Sequence, residues 1–465
     1  MSRALAEVSF RDPAGFVYTQ QGDLRRQINL VYREHYDRLM DSGLYAELVD
    51  ARLLIPHEEL AAEGWEPGQA YKVIRPEPVE FISYPYEWSF SQYRDAALVT
   101  LEVQRRALGH AMSLKDCSVY NLQFHRGRPV FIDTLSFEMY REGEPWVGYR
   151  QFCEHFLAPL ALMALRDHRL NQLCRTNIDG IPLDLAVRLL PARSWLRWGL
   201  LLHLRLHERL QRAHTGQGRP ASKPAAPGRL SVSRNALLGL IDSLASTVRG
   251  LRWRPAGGGW ASYEEDLPYT AEGFERKVRI VRELIDKARA RTIWDLGANT
   301  GHFSRMAAES GASTVAFDFD HACIEKAYLE ARARDETRLL QLVLDLFNPS
   351  PASGWMNRER SSIFERANPE MVMALALIHH LAFVGNQPME NLAELFRGLA
   401  PWLLIEFVPE SDPQVRLLSE QRAGVHHEYN QETFERCFSK HFLIMTSEPV
   451  TERGRILYLM RRRGD

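Results

Sequence analysis

The sequence predicts an α/β protein: a doubly wound, largely parallel sheet in the carboxyl-terminal half, preceded by an α+β region. Three observations predict this. From Thr292 onward short apolar runs alternate with helix-like stretches, the pattern of strands joined by crossover helices. The first run ends in Asp295 and opens into Gly297-Ala298-Asn299-Thr300-Gly301 before a helical pattern begins. Such a loop sets a ligand at the carboxyl edge of a parallel sheet, because glycine permits tight turns and close approach. Between the halves, Gln211 to Gly228 is rich in Pro, Gly and Ala and reads as a linker.

At 465 residues the chain is long enough for two or three cores. Its 58 basic and 59 acidic residues give a formal net charge of -1, so nothing global points to nucleic acid. Five scattered cysteines, at 117, 153, 174, 323 and 437, lack metal-ligand spacing and read as reduced thiols. Met1 to Asp12 has no apolar core after a basic start, and a cytoplasmic protein is expected. No apolar run reaches spanning length. Trp195 to Leu206 is broken by Arg197, His203 and Arg205, so membrane insertion is not expected, and packing is favoured over a surface-lying amphipathic helix.

The order of elements follows from periodicity. In the first region, 1–140, Gly15 to Gln21 reads as a hairpin strand and Leu24 to Leu48 as helix. Tyr71 to Ile74 and Val79 to Ile82 read as strands, and Ser91 to Met112 as a strong helix. Leu114 to Phe124, a turn at Arg126-Gly127-Arg128-Pro129, and Val130 to Asp133 read as loop, strand, turn, strand, acid. A helical extension, 141–210, follows. It is taken to include Trp146 to Leu165 and Leu183 to Leu210. The linker is assigned to 211–229 and the second domain to 230–465, led by a helix from Leu230 to Gly250.

Asp116, Asn121 and Asp133 share a spacing with a known arrangement. It resembles the catalytic loop and metal-binding acid of the protein-kinase and aminoglycoside-phosphotransferase fold. There the first Asp orients a hydroxyl while the Asn and second Asp hold Mg²⁺ against ATP phosphates. The resemblance makes these three a candidate nucleotide and metal site, with Lys72 as the candidate phosphate-binding lysine. No glycine-rich phosphate loop precedes them, and Thr134 follows Asp133 where the family has Phe-Gly. The favoured reading is therefore a degenerate kinase-like domain that binds without transferring phosphate. A phosphotransferase, and acids that merely cap a hairpin, are the alternatives.

In the carboxyl-terminal half, strands are expected at Thr292 to Asp295, Thr314 to Phe317, Leu339 to Val343, Met371 to Ala376 and Leu403 to Phe407. A closing antiparallel pair is expected at Phe442 to Met445 and Ile456 to Leu459. The loop after Asp295 lacks the second and third glycines of a dinucleotide fingerprint, and it lacks the Gly-Lys-Ser/Thr of a Walker loop. It resembles motif I of class I S-adenosylmethionine-dependent methyltransferases. Asp318, at the end of the second strand, falls where that family binds the ribose hydroxyls, and Asp345, after the third, where it meets the adenine amino group. The resemblance implies a Rossmann-like methyltransferase sheet with S-adenosylmethionine as cofactor. Asp295 would support the loop and the ligand's ammonium, Gly297 and Gly301 would let the loop pass its methionine part, and Asn299 would line the pocket. Ala298, Phe319 and Leu346 join the same cofactor set.

Ile378-His379-His380-Leu381 resembles the segment after strand 4 of small-molecule methyltransferases. His379 or His380 is the candidate base; the favoured alternative is that one packs below the helix and the other hydrogen-bonds backbone. Glu406, beside strand 5, either steers a substrate or caps a loop. His426-His427-Glu428 gives only a weak metal signal, and no metal is expected in this half. Taken with Glu87 to Gln92, Phe131 to Phe137 and Ile405 to Pro409, the chain resembles bacterial methyltransferase-like proteins that include nodulation-associated members. The function expected is methyl transfer to an O- or N-nucleophile of a small molecule from a biosynthetic pathway, with a non-catalytic scaffold that binds S-adenosylmethionine as the further alternative.

Overall fold

A computed structural model describes residues 3–5, 12–61, 64–209, 231–255, 270–366, 368–421, 428–451 and 454–464. The linker 211–229, His426 and His427 lie outside them, as do Tyr263 and Tyr269, upstream of the first strand of the carboxyl-terminal half, which the sequence offers as packed aromatics or a lid over the cofactor. The chain divides into two units, 1–254 with 352–360, and 255–351 with 361–465. The helix expected to lead the second domain therefore belongs to the first unit.

The first unit opens with a five-stranded antiparallel sheet of β1 (Arg3–Leu5), β2 (Gly15–Gln20), β3 (Asp23–Asn29), β4 (His57–Leu60) and β5 (Ala70–Pro76), in the order β1-β2-β3-β5-β4. Leu24 to Asn29 is thus strand, not the helix expected. It pairs with both β2 and β5, and sheet pairing overrides a helix-like apolar spacing. Helix begins only at α1 (Arg33–Asp41) and resumes at α2 (Leu44–Asp50). Val79 to Ile82 forms no strand.

Next comes α3 (Phe90–Gly109), which starts sharply. The Ser89 N–H donates to Gln92 Oε1 at 2.9 Å and the Gln92 N–H returns to Ser89 Oγ, a reciprocal cap. Beyond it, β6 (Met112–Leu114) pairs with β9 (Phe137–Met139), and β7 (Leu122–His125) with β8 (Arg128–Phe131). Arg126 and Gly127 both take positive φ, as a two-residue hairpin turn requires. Helices α4 (Tyr149–Phe152), α5 (Ala158–Leu165), α6 (Leu183–Leu189) and α7 (Arg234–Gly250) follow in this unit, among shorter helical turns. The long helix expected from Leu183 to Leu210 breaks after Leu189, ahead of Pro191, which cannot continue it, and helix resumes over Trp198–Leu200 and Leu201–Leu206. Residues 352–360 also belong here: the Arg360 guanidinium lies over the Tyr120 ring at 4.2 Å.

The second unit begins with α8 (Ala271–Ala288) and then alternates: β10 (Thr292–Leu296), α9 (His302–Glu309), β11 (Ser313–Asp318), α10 (His321–Ala333), β12 (Leu339–Val343), β13 (Met371–Ala374), α11 (Ile378–Phe383), α12 (Met389–Leu399), β14 (Trp402–Phe407), α13 (Pro413–Gln421), α14 (Gln431–Ser439), β15 (Phe442–Pro449) and β16 (Ile456–Arg462). The sheet order is β12-β11-β10-β13-β14-β16-β15. The five leading strands are parallel, and the last two join antiparallel. The strand order reverses between β10 and β13, the place where doubly wound sheets open a crevice at their carboxyl edge. Ile293, Met371, Met373 and Leu404 pack against Val281, Leu284 and Ile285 of α8 to make the core beneath that edge. No helix among the described residues is long and apolar enough to cross a membrane.

Candidate functional site

The turn after β10 is built by three residues in the left-handed region: Gly297 (φ 76), Asn299 (φ 51) and Gly301 (φ 86). The Gly297 and Ala298 N–H groups both donate to the Phe317 carbonyl at 2.9 Å, tying the loop to β11. A Cβ on Gly297 would meet Leu377 Cδ1 at 3.1 Å, so both conformation and space favour glycine there.

Two buried carboxylates face this loop. Asp318 accepts from the Asn299 N–H at 2.8 Å and the Asp320 N–H at 2.9 Å. Asp295 accepts from the Ser304 hydroxyl of α9 at 2.6 Å. Burial pushes both up to about 6 despite these hydrogen bonds, and the nearby Asp318 charge raises Asp295 further. Asp345, by contrast, is exposed. Its Oδ1 accepts from the Phe347 N–H at 2.9 Å.

These residues line one cavity of about 670 Å³, within the range of small-ligand sites. Asp295, Gly297, Ala298, Asn299, Asp318, Phe319, Asp345 and Leu346 all line it. Gly301 is not among the lining residues; it starts α9 at the end of the loop.

The other candidates separate. His380 lines the cavity, and burial pulls its pKa down to about 4, the Arg455 charge adding to this. His379 does not line it. That ring is buried, with neither nitrogen hydrogen-bonded among the described residues, and burial lowers its pKa strongly. Glu406 also lies off the lining, wholly buried. It accepts from Lys277 Nζ at 2.7 Å, and Arg455 stands 3.7 Å away. Its role is therefore to hold two cations that do face the cavity, rather than to cap a loop.

Lys277 and Arg455 are the site residues that sequence reasoning missed. A signal existed for Lys277: it shares a helical face with Val281, Leu284 and Ala288, all buried, and a lysine on an apolar stripe requires a partner. Arg455 had none, because its partners Glu406 and Asp412 come from distant parts of the chain.

In the first unit, Ser136 brings two of the three kinase-like candidates together. Asn121 Nδ2 donates to Ser136 Oγ at 3.1 Å, and that hydroxyl donates to Asp133 Oδ2 at 2.5 Å. Asp116 instead accepts from Gln151 Nε2 at 2.8 Å and the Ser118 N–H at 2.9 Å. Asp133 is salt-bridged to Arg26 of β3. Burial alone would raise Asp133, but Arg26, the Ser136 hydroxyl and the Leu135 N–H together hold it below its ordinary value. Lys72 is engaged by Glu59 of β4. Among the described residues no group of three or more His, Cys, Asp or Glu side chains is placed to hold a metal ion.

No family model matches the chain. It is 34% identical over 463 residues to nodulation protein NoeA of Rhizobium meliloti (strain 1021), covering 98% of this chain and 95% of that protein. Among solved structures, magnesium protoporphyrin IX methyltransferase (ChlM) from Synechocystis PCC 6803 with bound SAH is 15% identical. That match covers 45% of this chain and 90% of ChlM, at a TM-score of 0.31. The bifunctional kinase-methyltransferase WbdD is 14% identical, with 44% of this chain and 43% of WbdD covered, at a TM-score of 0.32.

Proposed function

The chain belongs to the family of the nodulation protein NoeA, and we propose that its second unit is a class I S-adenosylmethionine-dependent methyltransferase acting on a small-molecule acceptor. One observation carries this reading. Asp295 and Asp318 are buried together at a 670 Å³ cavity on the carboxyl edge of the sheet, with pKa values raised to about 6. Carboxylates so poorly compensated by the chain suit a ligand that brings a cation and sugar hydroxyls.

When bound, S-adenosylmethionine supplies an activated methyl group on a sulfonium. The chain supplies position. Asp318 would accept from the ribose hydroxyls, Asp295 would face the ammonium end, and Gly297 to Asn299 would bring backbone alongside the methionine part. Exposed Phe319 and Phe347 flank the cavity as apolar walls for a base. Holding the acceptor in line with the methyl is the larger part of such catalysis. Calorimetry with S-adenosylmethionine tests the reading: it fails if the ligand does not bind, or if Gly297→Arg binds as well as the native chain.

For the first unit we favour a kinase-like remnant without phosphoryl transfer, because Arg26 already neutralises Asp133 and Lys72 is engaged by Glu59. Phosphate release from ATP that is lost on Asp133→Ala but kept on Asp318→Ala would overturn this. All five cysteines are free and buried, which suits the cytoplasmic location read from the sequence.

A further inference from the structure

The first unit carries a surface that the methyltransferase chemistry does not use. Beyond Pro191 the chain turns through Ala192–Leu196 and becomes helical again over 198–206. One face of this stretch is packed. Leu200, His203 and Leu204 are buried. Gly199 lies so close to α7 that a Cβ there would collide with the Thr247 hydroxyl. His203 Nε2 stands 2.9 Å from Ser243 Oγ, and its Nδ1 stands 2.9 Å from the Tyr149 hydroxyl.

The opposite face is bare. Trp198 is 70% exposed, Leu196 89% and Leu202 36%. Trp198 and Leu202, four residues apart, share one side of the helix. Large apolar groups gathered on a surface mark a place of contact.

Charge says with what. Residues 190–209 and 245–255 hold seven arginines, no lysine and a single acid, Glu208, which is buried. Arg197 Nη1 donates to the Gly250 carbonyl at 3.1 Å and so ties the two segments together. Arg193, Arg197, Arg249, Arg252 and Arg254 are exposed, and the Arg205 guanidinium lies over the Trp195 ring at 5.3 Å. None of these six has a carboxylate partner among the described residues. Asp167, beside the His168 ring that stacks on Trp253, is already paired with Arg169.

We propose that this face docks the protein on an anionic membrane surface. Trp198, Leu196 and Leu202 enter the boundary between headgroups and acyl chains, while the arginines meet lipid phosphates. A nucleic acid would satisfy the arginines but offers nothing to Leu196, and neutral lipid would satisfy Leu196 but not the arginines. The protein lies on the bilayer without crossing it, in keeping with the lack of a spanning helix among the described residues. The proposal does not depend on the methyltransferase reading.

Vesicle sedimentation of the full chain tests it. One set of vesicles is phosphatidylcholine alone, and the other is equal parts phosphatidylcholine and phosphatidylglycerol. Binding is expected to favour the anionic set at least about tenfold and to weaken as salt rises. Arg249→Gln and Arg252→Gln should each weaken it about fivefold. Trp198→Ser combined with Leu196→Ser should weaken it about tenfold, with an unchanged melting temperature because both side chains already face water. If the paired variant melts lower, Leu196→Ser alone decides. Equal binding to both vesicle sets, or none to either, overturns the proposal. So does binding that the glutamine variants weaken but the serine variants leave intact, since that marks a site for any polyanion. A dimer in sedimentation equilibrium that Trp198→Ser splits into monomers would assign the face to a second copy of the chain and overturn it as well.

Discussion

Asp133 in the first unit and Asp318 in the second both stand where a strand gives way to a turn, and burial pushes both toward protonation. They end on opposite sides of their ordinary pKa. Asp133 has a guanidinium, a hydroxyl and a backbone N–H from its own chain. Asp318 has three backbone N–H groups, of Asn299, Phe319 and Asp320, but no cation among the described residues lowers it, and the neighbouring Asp320 charge opposes its ionisation. A buried carboxylate complete within the chain stabilises the fold. One that remains under-compensated in a cavity marks where a ligand completes it.

The comparison breaks most visibly at the loop. Gly297→Arg adds left-handed strain of about 1 kcal/mol but fills the cavity mouth. S-adenosylmethionine binding by calorimetry is expected to vanish while the chain still folds. Asp318→Ala should weaken binding about a hundredfold, roughly 2.7 kcal/mol, whereas Asp133→Ala should leave that affinity within about twofold. Equal losses from both would mean the two acids do not differ as argued.

Arg26→Ala comes next. It strands Asp133 without its cation, and loss of one partner of a buried pair costs about 3 kcal/mol. Denaturant unfolding should register this with S-adenosylmethionine affinity retained.

pH sharpens the contrast, because the signs are opposite. Asp318 rises from 3.8 to about 6 on folding. The stability linked to its protonation is present below about pH 4 and is lost as pH rises through 6. Asp318→Asn should therefore melt higher than the native chain at pH 7 in the absence of ligand, and the gap should close toward pH 4. Asp133 is lowered on folding, so its contribution is present above its ordinary 3.8 and lost as pH falls through the folded value. Asp133→Asn should melt lower at pH 7, with the gap closing only in stronger acid. Melting curves of the three chains from pH 3 to 8 check both signs.

The smallest effect concerns the two histidines. His379→Leu removes a buried ring without hydrogen bonds among the described residues. Thermal melts should show stability unchanged or raised by about 1 kcal/mol, with ligand affinity intact. His380→Leu, on the cavity wall, should change acceptor KM or kcat instead.

Much of the second unit was legible because its signals are local. The strand Leu339–Val343 has the bounds its residue pattern predicts, and a helix, His302–Glu309, follows the glycine loop as expected. A loop that requires positive φ must show its glycines, and an acid at a strand end keeps that place whatever surrounds it. Leu24 to Asn29 failed for the converse reason, since its partners β2 and β5, not its own periodicity, made it a strand.

The sequence by itself determined the alternation of elements, the glycine loop and the order of the acids along the sheet edge, since each depends on backbone preference and nearest neighbours. Tertiary structure alone decided which charges are answered. Arg26 reaches Asp133, and Lys277 and Arg455 converge on Glu406, across separations that no local pattern records. Because the energy of a buried charge depends on what surrounds it in space, the division between an acid that holds the fold and an acid that awaits a ligand is made only when the chain has folded.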